Sequence, residues 1–303
     1  MSYIELYEKS SLKKRREKLH KLLEKCHLCP RNCLVNRLQD ERGFCGAGKK
    51  AAVSSYNLHF GEEPPISGYR GSGTIFFTHC NLRCCFCQNY PISQLGNGRE
   101  VEISELATMM VKLQKLGAHN INFVTPTHFV PQIVEALELA VKEGLKIPLV
   151  YNSGGYDSVE TLNLLDGIVD IYMPDAKYSN PESARRYSRA EDYFEVNKKA
   201  LLEMYRQVGD LKMDREGIAK RGLLIRHLVM PEDIAGSRKV LEFIAQNISK
   251  HTYMSIMAQY HPAHLAFEFP ELSRRISKEE YDAVLEIVDE LGLERGWRQN
   301  FWE

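Results

Sequence analysis

All eight cysteines of this 303-residue chain lie within its first 87 residues, in two groups. Cys26, Cys29, Cys33 and Cys45 form the first, and Cys80, Cys84, Cys85 and Cys87 the second. A fold of this chain has to carry each group on closely spaced backbone, which makes shared ligation the first question. The N-terminus, Met1-Ser2-Tyr3-Ile4-Glu5, is charged by its fifth residue and lacks the apolar core of a signal peptide. No later run approaches the length of a membrane span. The expectation is therefore a cytoplasmic protein with no membrane partner. That compartment keeps thiols reduced, so clustered cysteines point to metal or catalysis rather than disulfides. The 40 Lys+Arg residues balance 40 Asp+Glu, which leaves no overall field for a polyanion, and nucleic acid is not an expected partner.

Residues 12–25 carry Leu12, Leu19, Leu22 and Leu23 among many charges, the pattern of an amphipathic helix with a solvated face that includes Lys13 to Arg16. Turn formers from Gly61-Glu62-Glu63-Pro64-Pro65 to Gly71-Ser72-Gly73 mark a boundary. Short apolar runs then alternate with helical patterns: strands at 74–77, 120–124, 147–151, 169–173, 223–229 and 253–257, the first five each followed by a helix. Such alternation is the sequence form of a parallel sheet with right-handed crossovers. Six strands fall short of a closed eight-stranded barrel. The expected class is α/β, a partial (β/α)6 barrel with an N-terminal helix and a cysteine-rich metal-binding extension. The expected divisions are 1–70 for that extension, 71–268 for the barrel, and 269–303 for a C-terminal helical segment packed on it. The aromatic, basic stretch Arg295 to Trp302 reads as docked on the core, with a partner contact as the other option.

In a parallel sheet of this kind ligands sit beyond the carboxyl ends of the strands. The residues there are Thr78 to Cys87, Thr125 to His128, Asn152 to Gly155, Pro174 to Lys177, Met230 to Glu232 and Ala258 to His261. Within the first of these, Cys80, Cys84 and Cys87 make C-x3-C-x2-C. Three thiolates on one loop hold three irons of a cubane cluster and leave the fourth open to an outside ligand. A structural zinc wants four protein ligands and would need Cys85, His79 or His128 to complete it. Cys85 does not fit the spacing and is expected to pack as a small apolar residue.

This loop, with Phe86 just before its last cysteine, resembles the signature of the radical S-adenosylmethionine (SAM) enzymes. The stretch Gly73 to Ser93 is similar to the branch related to pyruvate formate-lyase activating enzyme. Cys29-Pro30-Arg31, Asn57 to Pro65 and Phe123 to His128 resemble its PflX-type subfamily. The resemblance implies a partial barrel and a 4Fe-4S cluster on Cys80, Cys84 and Cys87 whose open iron chelates SAM. In such enzymes the reduced cluster cleaves SAM to methionine and a 5'-deoxyadenosyl radical that abstracts hydrogen from substrate. It further implies Phe86, Thr125, Asn152, Ser153, Asp175, Lys177, Arg226 and His261 as cofactor contacts. A flavodoxin or ferredoxin is the implied electron donor, and a protein glycine or other peptide substrate the implied target, in an oxidoreductase of the activating-enzyme kind. One departure stands out: the segment that relatives use for the SAM amino group reads Thr125-Pro126-Thr127-His128 here.

The N-terminal group has the spacing C-x2-C-x3-C-x11-C, followed closely by Gly46 and Gly48. Four thiolates suit either a closed zinc site or a second 4Fe-4S cluster, and spacing does not choose between them. The competing functional reading is a non-catalytic, zinc-bound interaction protein with zinc at both groups; it leaves the polar strand-end residues unexplained.

Overall fold

The computed structural model describes residues 1–301. Its strands are β1 (Ala51–His59), β2 (Ser72–Phe77), β3 (Arg99–Val101), β4 (Ile121–Val124), β5 (Leu149–Ser153), β6 (Ile171–Pro174), β7 (Lys212–Met213), β8 (Ala219–Leu228), β9 (Tyr253–Met257) and β10 (Gly296–Arg298). Strands β2, β4, β5, β6, β8 and β9 pair in parallel in that spatial order. Helices fill the crossovers between them, among them Ile103–Lys115, Val130–Lys142 and Ser237–Asn247. The sheet runs from β10 at one end to β3 at the other and does not close on itself. The α/β partial barrel read from the alternation is the architecture observed.

Side chains alternate between two faces, as a period of two requires. Ile75, Phe77, Ile121, Phe123, Tyr151 and Tyr172 face the crossover helices in the large outer core. Val150, Ile171, Met173, Leu224 and Tyr253 face the interior, where Ile66 joins them. Ile66 belongs to the one-turn helix Pro64–Ser67, and Asn120, just before β4, donates to its carbonyl at 2.8 Å. That helix therefore stoppers the barrel at the amino ends of its strands, and ligands have the carboxyl ends.

Several elements differ from expectation. The stretch before the turn-rich boundary forms β1, which pairs antiparallel with β2 and carries β3 on its other side. The cysteine-rich extension thus runs straight into the barrel's own sheet. The crossover after β6 holds two helices, Pro181–Ser188 and Tyr193–Val208, broken where Arg189 adopts φ 54°. The helix read over 12–25 is Ser11–Lys21, and a further helix, Ser2–Glu8, precedes it. Near the C-terminus, helix Lys278–Glu290 starts from a capping box of Ser277 and Glu280, and β10 then adds parallel to β9. Trp302, in the aromatic stretch noted above, lies outside the described residues. Among the described residues no helix is long and apolar enough to cross a membrane.

Candidate functional site

The second cysteine group leaves the carboxyl end of β2 on backbone bent by two left-handed residues, His79 at φ 68° and Arg83 at φ 60°. Distant segments hold this loop: the Cys85 N–H donates to Tyr187 O and the Leu265 N–H to Cys85 O, each at 2.8 Å. Each of the three spaced sulfurs has a hydrogen-bonding neighbour. The Leu82 N–H reaches Cys80 Sγ at 3.4 Å, Ser188 Oγ donates to Cys84 Sγ at 2.9 Å, and Ser93 Oγ lies 3.2 Å from Cys87 Sγ. Cys85 is buried in the outer core cluster, and Tyr187 and Tyr260 lie near it. Burial pushes the Cys80 thiol up to about 11 and also raises Cys84 and Cys87, so thiolates here need a bound metal to stabilise them. Among the described residues no three His, Cys, Asp or Glu side chains close on one point as ligands of a single ion. The fit to a polynuclear cluster therefore rests on the three donor-served sulfurs and their burial.

Beside Cys84 and Cys87 is a recess of about 190 Å³, lined also by Phe86, Gln88, Asp175, Lys177, Arg226, Met257 and Gln259. Its floor is a charged chain. Lys177 Nζ lies 2.5 Å from Asp175, and Arg226 donates to Asp175 and to Asn152 Oδ1, both at 2.8 Å. Burial works against ionisation of Asp175, but Arg226 and Lys177 outweigh it and hold the carboxyl below its ordinary value. Lys177 stays charged by the same balance, with burial opposed by Asp175 and Cys84. Arg226 faces the interior while its neighbour His227 faces outward, to Ala176 O and Ser237.

The other sequence-predicted contacts divide. Phe86 packs against Tyr178 and Tyr260 at the recess wall. Thr125 takes φ 58° at the end of β4, where its N–H donates to Asn152 O at 2.8 Å. His261 sits at the rim, its Nδ1 3.1 Å from the Gln88 amide. Ser153 turns away from the recess and donates to Asp157 at 2.6 Å. This buried carboxylate also takes Thr127 and Tyr151 hydroxyls at 2.7 and 2.9 Å. His128 also leaves the mouth: its Nε2 lies 2.8 Å from Thr78 O, and burial pushes the ring down to about 3.

Glu62 was not anticipated. It enters the interior behind Arg226, accepting from Asn122 at 2.8 Å, and burial pushes it up to about 7 against the opposing pull of Arg226. Its sequence context, two glutamates before two prolines, resembles an ordinary polar turn, and only the chain's return beneath the barrel distinguishes it. Ser188 gave no signal either, because its partner Cys84 lies 104 residues away in sequence.

The four N-terminal cysteines line one enclosed cavity together with Arg31, Arg37, Gly43 and His128. Asn32 and Leu34, on either side of Cys33, adopt φ 46° and 59°, which folds the segment back so that the Leu34 N–H reaches Cys26 O. Gly43 is required there, since a Cβ would stand 2.7 Å from Cys33 Cβ and 2.8 Å from its sulfur. The Phe44 N–H reaches Cys33 Sγ at 3.4 Å. Burial pushes Cys29 up to about 12 and raises Cys45. Arg31 joins the two cysteine groups. It stacks 3.8 Å from the Phe44 ring centroid, and it donates to Asn81 O at 2.7 Å in the barrel loop and to Ser188 O at 3.1 Å.

The radical SAM superfamily model matches residues 74–215. An uncharacterized protein of Methanocaldococcus jannaschii, MJ0674, is 34% identical over 282 residues, covering 90% of this chain and 77% of its own length. A second from the same organism, MJ0808, is 22% identical over 293 residues, covering 87% of this chain and 80% of its own. Among solved structures, the radical SAM methyltransferase TsrM of Kitasatospora setae, with cobalamin and a 4Fe-4S cluster bound, aligns at TM-score 0.45 and 16% identity. That alignment covers 62% of this chain and 37% of TsrM, so the chain spans little more than a third of that protein. The stretch from 74 to 215, nearly half of the chain, belongs to the radical SAM superfamily.

Proposed function

We propose that this protein abstracts hydrogen from a protein or peptide substrate, in the manner of an activating enzyme of the PflX type, using a cluster held by Cys80, Cys84 and Cys87. When bound, a 4Fe-4S cluster and SAM supply a one-electron cleavage that yields a carbon radical. The observation that carries the reading is the placement of three buried, donor-served sulfurs at a strand's carboxyl end beside a recess floored by Asp175, Lys177 and Arg226. Lys177 supplies a cation for the SAM carboxylate, and Arg226 keeps Asp175 ionised and in place. Phe86, Met257 and Leu228 give the recess apolar walls that keep water from a radical. A macromolecular substrate is favoured by an exposed aromatic residue on a segment tied to the cluster loop: Leu265, bonded to Cys85 O, leads to Phe267, which is 68% exposed. The electron comes from a low-potential flavodoxin or ferredoxin.

The test is 5'-deoxyadenosine formation by anaerobically reconstituted protein given SAM and dithionite, with the Cys80→Ala, Cys84→Ala, Cys87→Ala triple variant alongside and iron and zinc counted. Product from the wild type alone supports the reading. Zinc without iron in the native protein, or equal product from the triple variant, refutes it.

A further inference from the structure

Arg37 is 1% exposed in the wall of the N-terminal cysteine cavity, and among the described residues it has no carboxylate within 4.0 Å. Its guanidinium bonds only to carbonyl oxygens, Gly48 O at 3.0 and 2.8 Å and His128 O at 2.7 Å. A buried cation without a counter-charge costs several kcal/mol. Among the groups lining that cavity, the cysteines are the ones able to supply negative charge, as thiolates on a metal. His128 belongs to the same wall, and it is 1% exposed. Its Nε2 faces the Thr78 carbonyl, which can only accept, so Nε2 carries the proton and Nδ1 keeps a free lone pair. Nδ1 is buried and has no hydrogen-bond partner. One ring nitrogen donating to a backbone carbonyl while the other is bare is how a metal-ligating histidine is held.

We propose that Nδ1 of His128 ligates a metal centre carried by the N-terminal cysteines in place of one of their four thiolates, giving that centre mixed sulfur and nitrogen coordination. Because among the described residues no three of these side chains close on one point, the centre is a polynuclear iron–sulfur cluster rather than a single zinc ion. His128 comes from the turn after β4, and its Thr78 partner lies two residues before Cys80, so the ligand fastens the N-terminal centre to the barrel loop. The proposal does not depend on the hydrogen-abstraction reading and can fail without touching it.

The experiment uses the full chain with Cys80, Cys84 and Cys87 replaced by alanine, so that any tightly held metal reports the N-terminal site. X-ray absorption at the iron and zinc edges identifies the metal and its shell. The expected spectrum shows sulfur neighbours plus the outer-shell scattering of an imidazole. Adding His128→Gln removes the imidazole signature and weakens metal retention against a chelator by about 10–100-fold, while His27→Gln and His79→Gln leave both unchanged. Should His128→Gln fail to fold, the parent spectrum still decides, since an all-sulfur shell there overturns the proposal. An all-sulfur shell, an unchanged spectrum in folded His128→Gln, or no retained metal overturns the proposal.

Discussion

Replacing Arg37 by methionine keeps an unbranched side chain in the same space and removes every donor that Gly48 O and His128 O receive from Arg37. Both oxygens are then buried beside a thioether that cannot donate. A buried acceptor left without its partner costs roughly 1–3 kcal/mol, so two cost roughly 2–6 kcal/mol. At a urea slope of about 3 kcal/mol/M that is a fall in midpoint of about 0.7–2 M, measured anaerobically on metal-replete protein. A second arm tests the charge argument. Stripping the metal from the wild type leaves the guanidinium without its counter-charge, whereas the methionine variant has no charge to strand. Metal removal is therefore expected to destabilise the wild type more than Arg37→Met by about 0.5–3 kcal/mol, the usual coupling between contacting groups. An Arg37→Met midpoint indistinguishable from wild type, or equal losses on metal removal, would refute the reasoning.

Asp170 is 4% exposed, accepts the Leu149 N–H at 3.0 Å, and is pushed by burial from 3.8 to about 6. Because the native carboxyl binds its proton more tightly than the unfolded one, its contribution favours folding below pH 3.8 and is lost as pH rises through about 6. The stability difference between wild type and Asp170→Asn is expected to move by about 3 kcal/mol against the wild type across that window, read from urea curves at each pH; a difference independent of pH would sink the assignment. Gly155→Ala at φ 72° places a Cβ 2.0 Å from the Asp175 carbonyl oxygen. The expected result is a loss of at least about 2 kcal/mol together with weakened SAM binding by calorimetry, and wild-type values for both would contradict the close approach.

The six parallel strands were legible because each is a short apolar run between helical patterns, and burial on both faces makes such runs continuous. β1 was not, since after Ala51-Ala52-Val53 it continues with Ser54, Ser55, Tyr56 and Asn57, and one of its faces is largely open to solvent. The barrel-loop cysteines stand out by spacing alone, because a shared ligand set demands closely spaced residues. Asn152, Asp175 and Lys177 could be placed by strand-end position, Arg226 lies within its strand on the interior face, and the structure links the four in one charged chain. Ser153 shows the limit of that rule: adjacent residues on a strand point to opposite faces, and its hydroxyl goes to Asp157 while Asn152 turns inward. Glu62, Arg37 and Ser188 act across tens to hundreds of residues, a relation that no local pattern encodes.

Cys84 takes its hydrogen bond from Ser188, 104 residues further along, and Cys85 is fastened from Leu265. Translation proceeds from the N-terminus at about 5–20 residues per second, so adding the 216 residues after Cys87 takes roughly 10–40 s. For most of that interval these cysteines have left the ribosome while the segments that enclose them are still being made. Oxygen present during synthesis therefore meets thiols that the finished fold would cover, and anaerobic growth is expected to raise the yield of competent protein beyond what anaerobic purification alone gives.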